Sequence, residues 1–407
     1  MERVRTTPVP LVHVTTVPMT LRCLSGQPEF MRRAGFEVHV VSSPGEELQG
    51  FAEREGAIPH AVPMVRPIAP LRDLAALLGL WKLFRLIAPA IVDTHTPKAG
   101  LLGMLAAWLA GVPVRVYHMH GLAFMTRTGL SRLLLRWTET LAALAAHRVL
   151  CVSHSVREVA IAEGICPAEK IRVLLGGSIN GVDADGRFKP ADPAVRRACR
   201  KEYGIGDNCR VIGFIGRLVR EKGIVELVHA WRQLRSEFDD LHLLVVGPTE
   251  AEHPLSKDTE LALQSDPRIH LVGLNWDTPR LYAAMDMVVL PTYREGFPVV
   301  PLEAASMGLP VVATGVPGCT DAVVDGVTGT LVPPRDSRSL AEAIRTYLRN
   351  PHLRRVHGDA ARTHVIREFR QERFWGAMAA EYRSLLMMSP LSSPQPVDGG
   401  ATAGSGS

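Results

Sequence analysis

Two carboxylates eight positions apart, Glu295 and Glu303, flank the turn Gly296-Phe297-Pro298-Val299-Val300 in a chain of 407 residues. The run Met287-Val288-Val289-Leu290-Pro291 just before them has the pattern of a buried strand. Pro298 suits the first position of a helix, where no backbone N–H partner is needed. The N–H groups of Val299 and Val300 would then point at the strand end as a phosphate site. Glu295 would lie in the loop beside that site and Glu303 on the helix behind it. A second turn adds cations: Val211-Ile212-Gly213-Phe214-Ile215-Gly216 reads as a strand and Ile224 to Trp231 as the helix after it, with Arg217, Arg220, Lys222 and Gly223 between. Arg217 can fork two N–H groups onto a diphosphate, and Lys222 adds a mobile point charge. Gly216 and Gly223 would let backbone approach the phosphates. A ligand with hydroxyls at both ends and a diphosphate between them matches this set, and a sugar nucleotide is such a ligand.

One histidine joins these residues from the first half of the chain. His118-Met119-His120-Gly121 follows the strand pattern Val114-Arg115-Val116-Tyr117, which puts His120 at a strand's C-terminal end, facing the crevice of an open α/β sheet. His118 points to the same face and is the second candidate. No metal ligands and no cofactor are expected. Asp183-Ala184-Asp185 has the spacing of a metal-binding pair but falls in a hinge loop.

With these residues in view, the chain resembles the family 4 retaining glycosyltransferases of the GT-B type. The likeness is carried by Gly216-Arg217-Leu218, Glu221-Lys222-Gly223, Asp286, Pro291, Glu295-Gly296-Phe297-Pro298, Glu303-Ala304 and Gly308-x-Pro310-Val311-Val312-Ala313. Asn180-Gly181-Val182-Asp183, Arg187-Phe188-x-Pro190 and His120-Gly121 extend it over residues 8 to 385. The resemblance implies two Rossmann-like, doubly wound α/β domains facing a central crevice. It implies a UDP-sugar donor held by Gly216, Arg217, Lys222, Glu295, Gly296, Phe297, Pro298, Val299, Val300 and Glu303. His120 would stand beside the donor sugar and, with Glu295, Arg217 and Lys222, serve catalysis. The cations and the helix start would stabilise the leaving diphosphate in place of a metal. Attack would come from the leaving-group face, the departing phosphate would take the acceptor's proton, and Glu295 would orient the sugar.

Many relatives carry a Gly-Gly pair after the first strand, where this chain has Thr15-Thr16-Val17-Pro18-Met19-Thr20-Leu21-Arg22; Thr20 and Arg22 are candidates for its role. This segment, Thr96-Pro97-Lys98-Ala99-Gly100 and Gly177-Ser178-x-Asn180 resemble a branch that extends undecaprenyl-diphosphate-linked sugars for surface polysaccharides or glycans. The implied reaction moves an N-acetylhexosamine or hexose to such a lipid-linked acceptor at the inner face of the plasma membrane. A soluble or different lipid acceptor, or a sugar-nucleotide epimerase on the same architecture, stays open. A nicotinamide enzyme would need Gly-x-Gly-x-x-Gly after a strand, which Gly213-Phe214-Ile215-Gly216 does not supply. A catalytically dead scaffold would have lost Lys222 or Glu303.

The elements that must position these residues alternate regularly. Strand-like runs fall at Leu11–Thr15, Val38–Val41, Ile91–His95, Val114–His118, Arg148–Val152 and Ile171–Leu175, with helical patterns between them. Gly and Pro gather between Gly176 and Pro193, and a second alternating set runs from Val211 to Asn350. These divide the chain into an acceptor-binding domain, residues 1–190, and a donor-binding domain, residues 191–369. A helix over 370–388 returns to the first domain, and a Ser/Pro/Gly-rich tail over 389–407 is expected to be disordered.

Composition sets bounds on partners. Apolar residues make up 46% of the chain, and its six cysteines are scattered with no Cys-x-x-Cys pair, which argues against a disulfide framework or a zinc site and for a reducing, cytoplasmic setting. No secretory signal is read at Met1 to Pro10. Residues 1–190 carry 21 basic against 15 acidic side chains and residues 191–407 carry 25 against 26, so the net +5 resides in the first half. That bias suits an anionic acceptor or membrane surface, and no nucleic-acid partner is expected. The apolar run Ala99–Val112 is too short to span a bilayer. Arg127 to Trp137 interleaves Arg127, Arg132 and Arg136 with leucines, the pattern of a helix lying on anionic lipid.

Overall fold

The computed structural model describes residues 7–250 and 254–389. Among these, one seven-stranded sheet holds β1 Val9–Val14, β2 Phe36–Ser42, β3 Ile58–Ala61, β4 Ile91–His95, β5 Val114–Met119, β6 Arg148–Cys151 and β7 Ile171–Arg172, in the order β3-β2-β1-β4-β5-β6-β7. A six-stranded sheet holds β8 Arg210–Ile215, β9 Leu241–Val246, β10 Ile269–Gly273, β11 Met287–Leu290, β12 Val311–Thr314 and β13 Gly329–Val332, in the order β10-β9-β8-β11-β12-β13. All the strand pairings are parallel. Near-continuous Val, Ile and Leu in the central strands is what a sheet covered on both faces requires. Each order reverses direction once, between β1 and β4 and between β8 and β11. Loops at such a reversal diverge and leave a crevice.

The loops leaving the two sheets meet. Gly121, after β5, lies against Gly296, after β11: a Cβ on Gly296 would fall 1.8 Å from the His120 carbonyl oxygen. Ser153 Oγ, after β6, donates to Gly296 O at 2.8 Å. Ser153 also accepts from Val156 N as the N-cap of helix His154–Ala162. Asp321, after β12, accepts from His154 N at 2.7 Å, from Ser155 N at 3.3 Å and from the Ser155 hydroxyl, so a residue of one sheet system completes the cap of a helix in the other. Arg22, after β1, stacks 4.1 Å over the Trp276 ring, which follows β10.

The chain crosses between the two sheets twice, side by side. Val182 N donates to Phe369 O at 2.8 Å, Val182 and Arg370 form a parallel bridge, and Gly181 has room for no side chain because a Cβ would sit 2.7 Å from Phe369 O. Asp183 accepts from Gly186 N and Arg187 N, and Asp185 pairs with Arg370, so both acidic residues serve this hinge. Helix Gln371–Met388 then packs Phe374, Trp375, Met378, Ala379, Tyr382 and Leu385 onto Leu11, Val38, Ile91, Val114 and Val116 of the first sheet.

Two local expectations shift, and one strand was not foreseen. Pro298 (φ −74, ψ 128) is the N-cap and the helix begins one residue later, as Val299–Ser306. The stretch Ile171–Leu175 yields a strand of two residues, Ile171–Arg172, and the chain turns at Leu175, φ 53. The edge strand β3 has no clear sequence signal: it is four residues long, holds Pro59 and buries none of them. Of the 389–407 tail, only Ser389 lies within the described residues.

Asp321→Ala removes a helix cap that is held across the two sheet systems. It is expected to lower the unfolding free energy by about 1 kcal/mol, read from the denaturant midpoint. An unchanged midpoint would show that the cross-sheet cap adds nothing to stability.

Candidate functional site

The turn after β8 is tied to the end of β11 by backbone. Gly223 adopts φ 72, and a Cβ there would fall 1.9 Å from Pro291 O, so this position demands glycine for packing as well as conformation. Tyr293 N donates to Glu221 O at 2.8 Å. Gly216 is different: the nearest atom to an added Cβ is Phe214 Cζ at 3.4 Å. The result places Lys222 Nζ 2.5 Å from Glu295 Oε1, with the side chains 20% and 11% exposed. Two residues separated by 73 positions thus form an ion pair beside the start of helix Val299–Ser306, whose first N–H groups have no intrahelical acceptors. Arg217 is turned to Glu250, with Nη1 2.9 Å from each carboxylate oxygen, and its side chain is 47% exposed.

Glu303 lies on the inner side of the helix and accepts from Tyr282 OH at 2.8 Å. Burial pushes its carboxyl up to about 7, against the opposing pull of Tyr282 and Arg187. Phe297 and Pro298 are buried, Phe297 with its ring 5.5 Å from that of Phe369, so their part is to shape the turn. Val299 and Val300 are half-buried at the helix start. Thr20 lies in the short helix Pro18–Leu24, and Arg22 of the same helix is engaged with Trp276.

His120 stands at the opposite wall, its carbonyl against Gly296, and its ring ends a buried row of imidazoles. His13 Nδ1 lies 3.1 Å from His95 Nε2, and His95 Nδ1 lies 3.0 Å from His120 Nε2. The register explains the gathering: His13 pairs with Asp93 across β1 and β4, and His95 with His118 across β4 and β5. Asp93 Oδ2 lies 4.0 Å from His13, 3.8 Å from His95 and 3.9 Å from His118, and accepts from Tyr382 OH at 2.5 Å. His118 is 2% exposed with Nδ1 unpartnered, whereas His120 is only half-buried, so His120 is the histidine within reach of the crevice. His95, His118 and His120, and separately His13, Asp93 and His95, hold ligand atoms within 4.8 Å of one another, a spacing that could suit a cation. The 3.0 and 3.1 Å nitrogen separations are those of hydrogen-bonded rings.

Sequence reading brought together Lys222, Glu295, Gly296 and His120 and missed Asp93, His13, His95, Glu250, Tyr282 and Asp321. A polar Asp-x-His inside the buried strand Ile91–His95 was the available signal for the histidine group, because a buried carboxylate needs partners. The strained Thr96, at φ 73 and hydrogen-bonded to Thr16 Oγ1 at 2.9 Å, marks the same strand end.

Residues 209–350 match the family model described as Glycosyl transferases group 1, and residues 29–185 match Glycosyltransferase Family 4. The chain is 34% identical over 379 residues to the capsular polysaccharide biosynthesis glycosyltransferase CapM of Staphylococcus aureus, covering 93% of this chain and 98% of that protein. It is 28% identical over 344 residues to the UDP-Gal:alpha-D-GlcNAc-diphosphoundecaprenol alpha-1,3-galactosyltransferase of Escherichia coli, covering 83% and 87%. The solved structure of Anabaena HepE in complex with UDP and glucose superposes with a TM-score of 0.79 at 22% identity, over 92% of this chain and 100% of that one, which shows the shared fold.

The imidazole row makes stability depend on pH. Burial holds His13 down at about 4 from an ordinary 6.5, ahead of the attraction of Asp93 and the repulsion of His118. Burial is also the leading cause for His95 and His120, which lie well below the ordinary range. The unfolded chain therefore binds more protons than the folded one between these limits, and stability rises with pH there. The contribution of His13 is full above 6.5 and is lost as pH falls through about 4. Melting temperatures should decline across this window, and less steeply for His13→Asn; parallel curves for the two proteins would contradict the assignment.

Proposed function

The chain belongs to family 4 of the glycosyltransferases, with the GT-B fold, and on that premise we propose that it transfers a hexose or N-acetylhexosamine from a UDP-sugar to a lipid-diphosphate-linked sugar, with retention of anomeric configuration. The observation that carries this reading is the contact of Gly296 with the His120 carbonyl, which brings the loop bearing the Lys222–Glu295 pair against the loop bearing His120. A donor sugar seated there meets an acceptor carboxylate on one side and an imidazole on the other. Its diphosphate falls toward Lys222 and the start of helix Val299–Ser306.

The chain's own residues supply the chemistry. Lys222 and the helix N–H groups stabilise negative charge that grows on the leaving diphosphate, in a cleft where each interaction is stronger than in water. Arg217 adds a bidentate fork once it exchanges Glu250 for phosphate oxygens. Glu295 orients the sugar hydroxyls, and Glu303, held by Tyr282, receives the ribose hydroxyls. A UDP donor is supported by the UDP and glucose named for the HepE structure and by the UDP-galactose donor in the name of the Escherichia coli relative. The undecaprenyl-linked acceptor is supported by that relative's name, and a role in surface polysaccharide by the capsule assignment of CapM.

A surface suited to a membrane-held acceptor lies beside the first sheet. In helix Gly129–Ala145 the side chains of Leu130, Leu134, Trp137, Leu141 and Leu144 recur every three to four residues and are 85%, 47%, 59%, 43% and 65% exposed. Arg132 and Arg136 share Glu163, at 2.6 and 3.2 Å, so one carboxylate offsets part of their positive charge and draws both guanidinium groups toward itself. The apolar stripe is the better basis for membrane contact. No described helix is long and apolar enough to cross a membrane.

Lys222→Ala and Arg217→Ala are each expected to cut turnover about a hundredfold, from loss of roughly 3 kcal/mol of transition-state stabilisation. Melting should be little altered, and excess chelator should leave the unmodified enzyme active. Near-normal turnover in both variants would reject this leaving-group site. The acceptor is tested by offering UDP-sugars with undecaprenyl-diphosphate-linked and free-sugar acceptors. Replacing Leu130, Leu134 and Trp137 together by Gln should weaken binding to anionic vesicles by at least about tenfold, more than Arg132→Gln with Arg136→Gln, while UDP affinity is unchanged. Exclusive use of free sugars, with vesicle binding indifferent to the leucines, would reject the lipid-linked acceptor and leave the transferase standing.

A further inference from the structure

The buried imidazole row has a direction. A neutral imidazole carries one N–H and one lone pair, so two successive ring-to-ring hydrogen bonds allow only two arrangements. Either His13 Nδ1 donates to His95 Nε2 and His95 Nδ1 donates to His120 Nε2, or every proton runs the other way. Asp93 Oδ2 lies 4.0 Å from His13 Nδ1 and 3.8 Å from His95 Nε2, so it favours a proton in the first link whichever ring carries it. The ends of the row must decide. His13 Nε2 is buried and has no partner. In the reverse arrangement it would be a stranded N–H, which native interiors tolerate least; in the forward one it is a stranded lone pair. At the other end, His120 Nδ1 has no protein partner among the described residues and is left to whatever occupies the crevice.

We propose that His13, His95 and Asp93 are positioning residues that hand His120 a single tautomer, with Nε2 accepting from His95 and Nδ1 bearing the proton, so that His120 meets the donor sugar as a neutral hydrogen-bond donor and not as a base. The groups facing the row are His13 on β1, Asp93 and His95 on β4, His118 and His120 on and after β5, and Tyr382 on the returning helix. Tyr382 anchors Asp93 at 2.5 Å and so keeps the one carboxylate of the group in place. A neutral donor at this position suits a reaction in which the leaving phosphate, not a side chain, takes the acceptor's proton. The ligand in this inference rests on the proposed function; the tautomer does not.

The test is nitrogen-15 NMR of histidine-labelled protein at neutral pH, with no ligand. His120 is expected as the Nδ1–H tautomer. An Nε2–H or doubly protonated ring would overturn the proposal, as would a stoichiometric co-purified metal that shifts these signals, because a metal would displace the protons of the row. A kinetic arm separates positioning from packing. His13→Asn keeps an amide N–H near the position of Nδ1 and is expected to retain kcat and the Nδ1–H signal of His120. His13→Leu removes the donor and is expected to lower kcat about tenfold with little change in donor KM. Equal kcat in the two variants would overturn the positioning role. A change of donor or acceptor found in the substrate panel would revise the proposed function and leave the NMR result intact.

Discussion

Everything at this site depends on the absence of a side chain at one position. Gly296 lets the loop after β11 close on the loop after β5, where an added Cβ would be 1.8 Å from the His120 carbonyl oxygen. Gly318 repeats the condition from the other side, since its Cβ would lie 2.4 Å from Gly296 O at a φ of 83. Glycines at both places bring backbone to backbone, and neighbouring side chains are carried into a common crevice as a consequence. Glu295, set against Lys222 by the packing of Gly223 on Pro291, is brought beside the His120 loop because the residue after it has no bulk. Ser153 and the Asp321 cap then hold the loops with hydrogen bonds that neither sheet could make alone.

The charges of the crevice are balanced before any ligand arrives. Lys222 is matched by Glu295 and Arg217 by Glu250, so the cations needed for a diphosphate sit in the fold at little electrostatic cost. Both pairs keep contact with solvent, which limits what their attraction contributes to stability and lets the partners be exchanged. The two pairs differ in kind. Glu250 competes with the ligand for the Arg217 fork, whereas Glu295 can hold Lys222 and a sugar hydroxyl at once, because an ionised carboxylate has four acceptor sites. Binding would therefore displace one carboxylate and recruit the other.

Sequence made the second sheet's site more legible than the first sheet's. The turns after β8 and β11 are announced by apolar runs that stop at Gly216 and Pro291, and their chemistry-bearing residues lie within a few positions of the stop. The imidazole row carries only the Asp93-x-His95 mark inside one buried strand, with no turn to announce its other members. Its members come from three strands, and the carboxylate at its centre is held by a tyrosine 289 positions away. Periodicity within one strand cannot show which strand lies next to it. The same limit hid the Asp321 cap, whose partner Ser155 is 166 positions earlier, and the pairing of Arg132 and Arg136 with Glu163. In that last case the basic-apolar interleaving was visible, but which side chains face outward was decided by a helix elsewhere in the chain.

The helix Gln371–Met388 links these observations. It begins where the chain recrosses from the second sheet to the first, and it fills one face of the first sheet with apolar side chains up to the level of Asp93. There the pattern changes from Ile91, Leu11 and Val116 to Asp93, His13 and His118 along the same strands, and the helix answers with Tyr382. Near its start, Trp375 Nε1 donates to Asn180 Oδ1 at 2.6 Å, and Asn180 Nδ2 donates to Ser25 O at 2.8 Å, which ties the first crossing point to the loop after β1. One helix thus touches both the hinge and the support of His120. Its apolar face makes it part of the first core, while the polar atoms of Trp375 and Tyr382 carry its hydrogen bonds to the hinge and to the carboxylate beside the imidazoles.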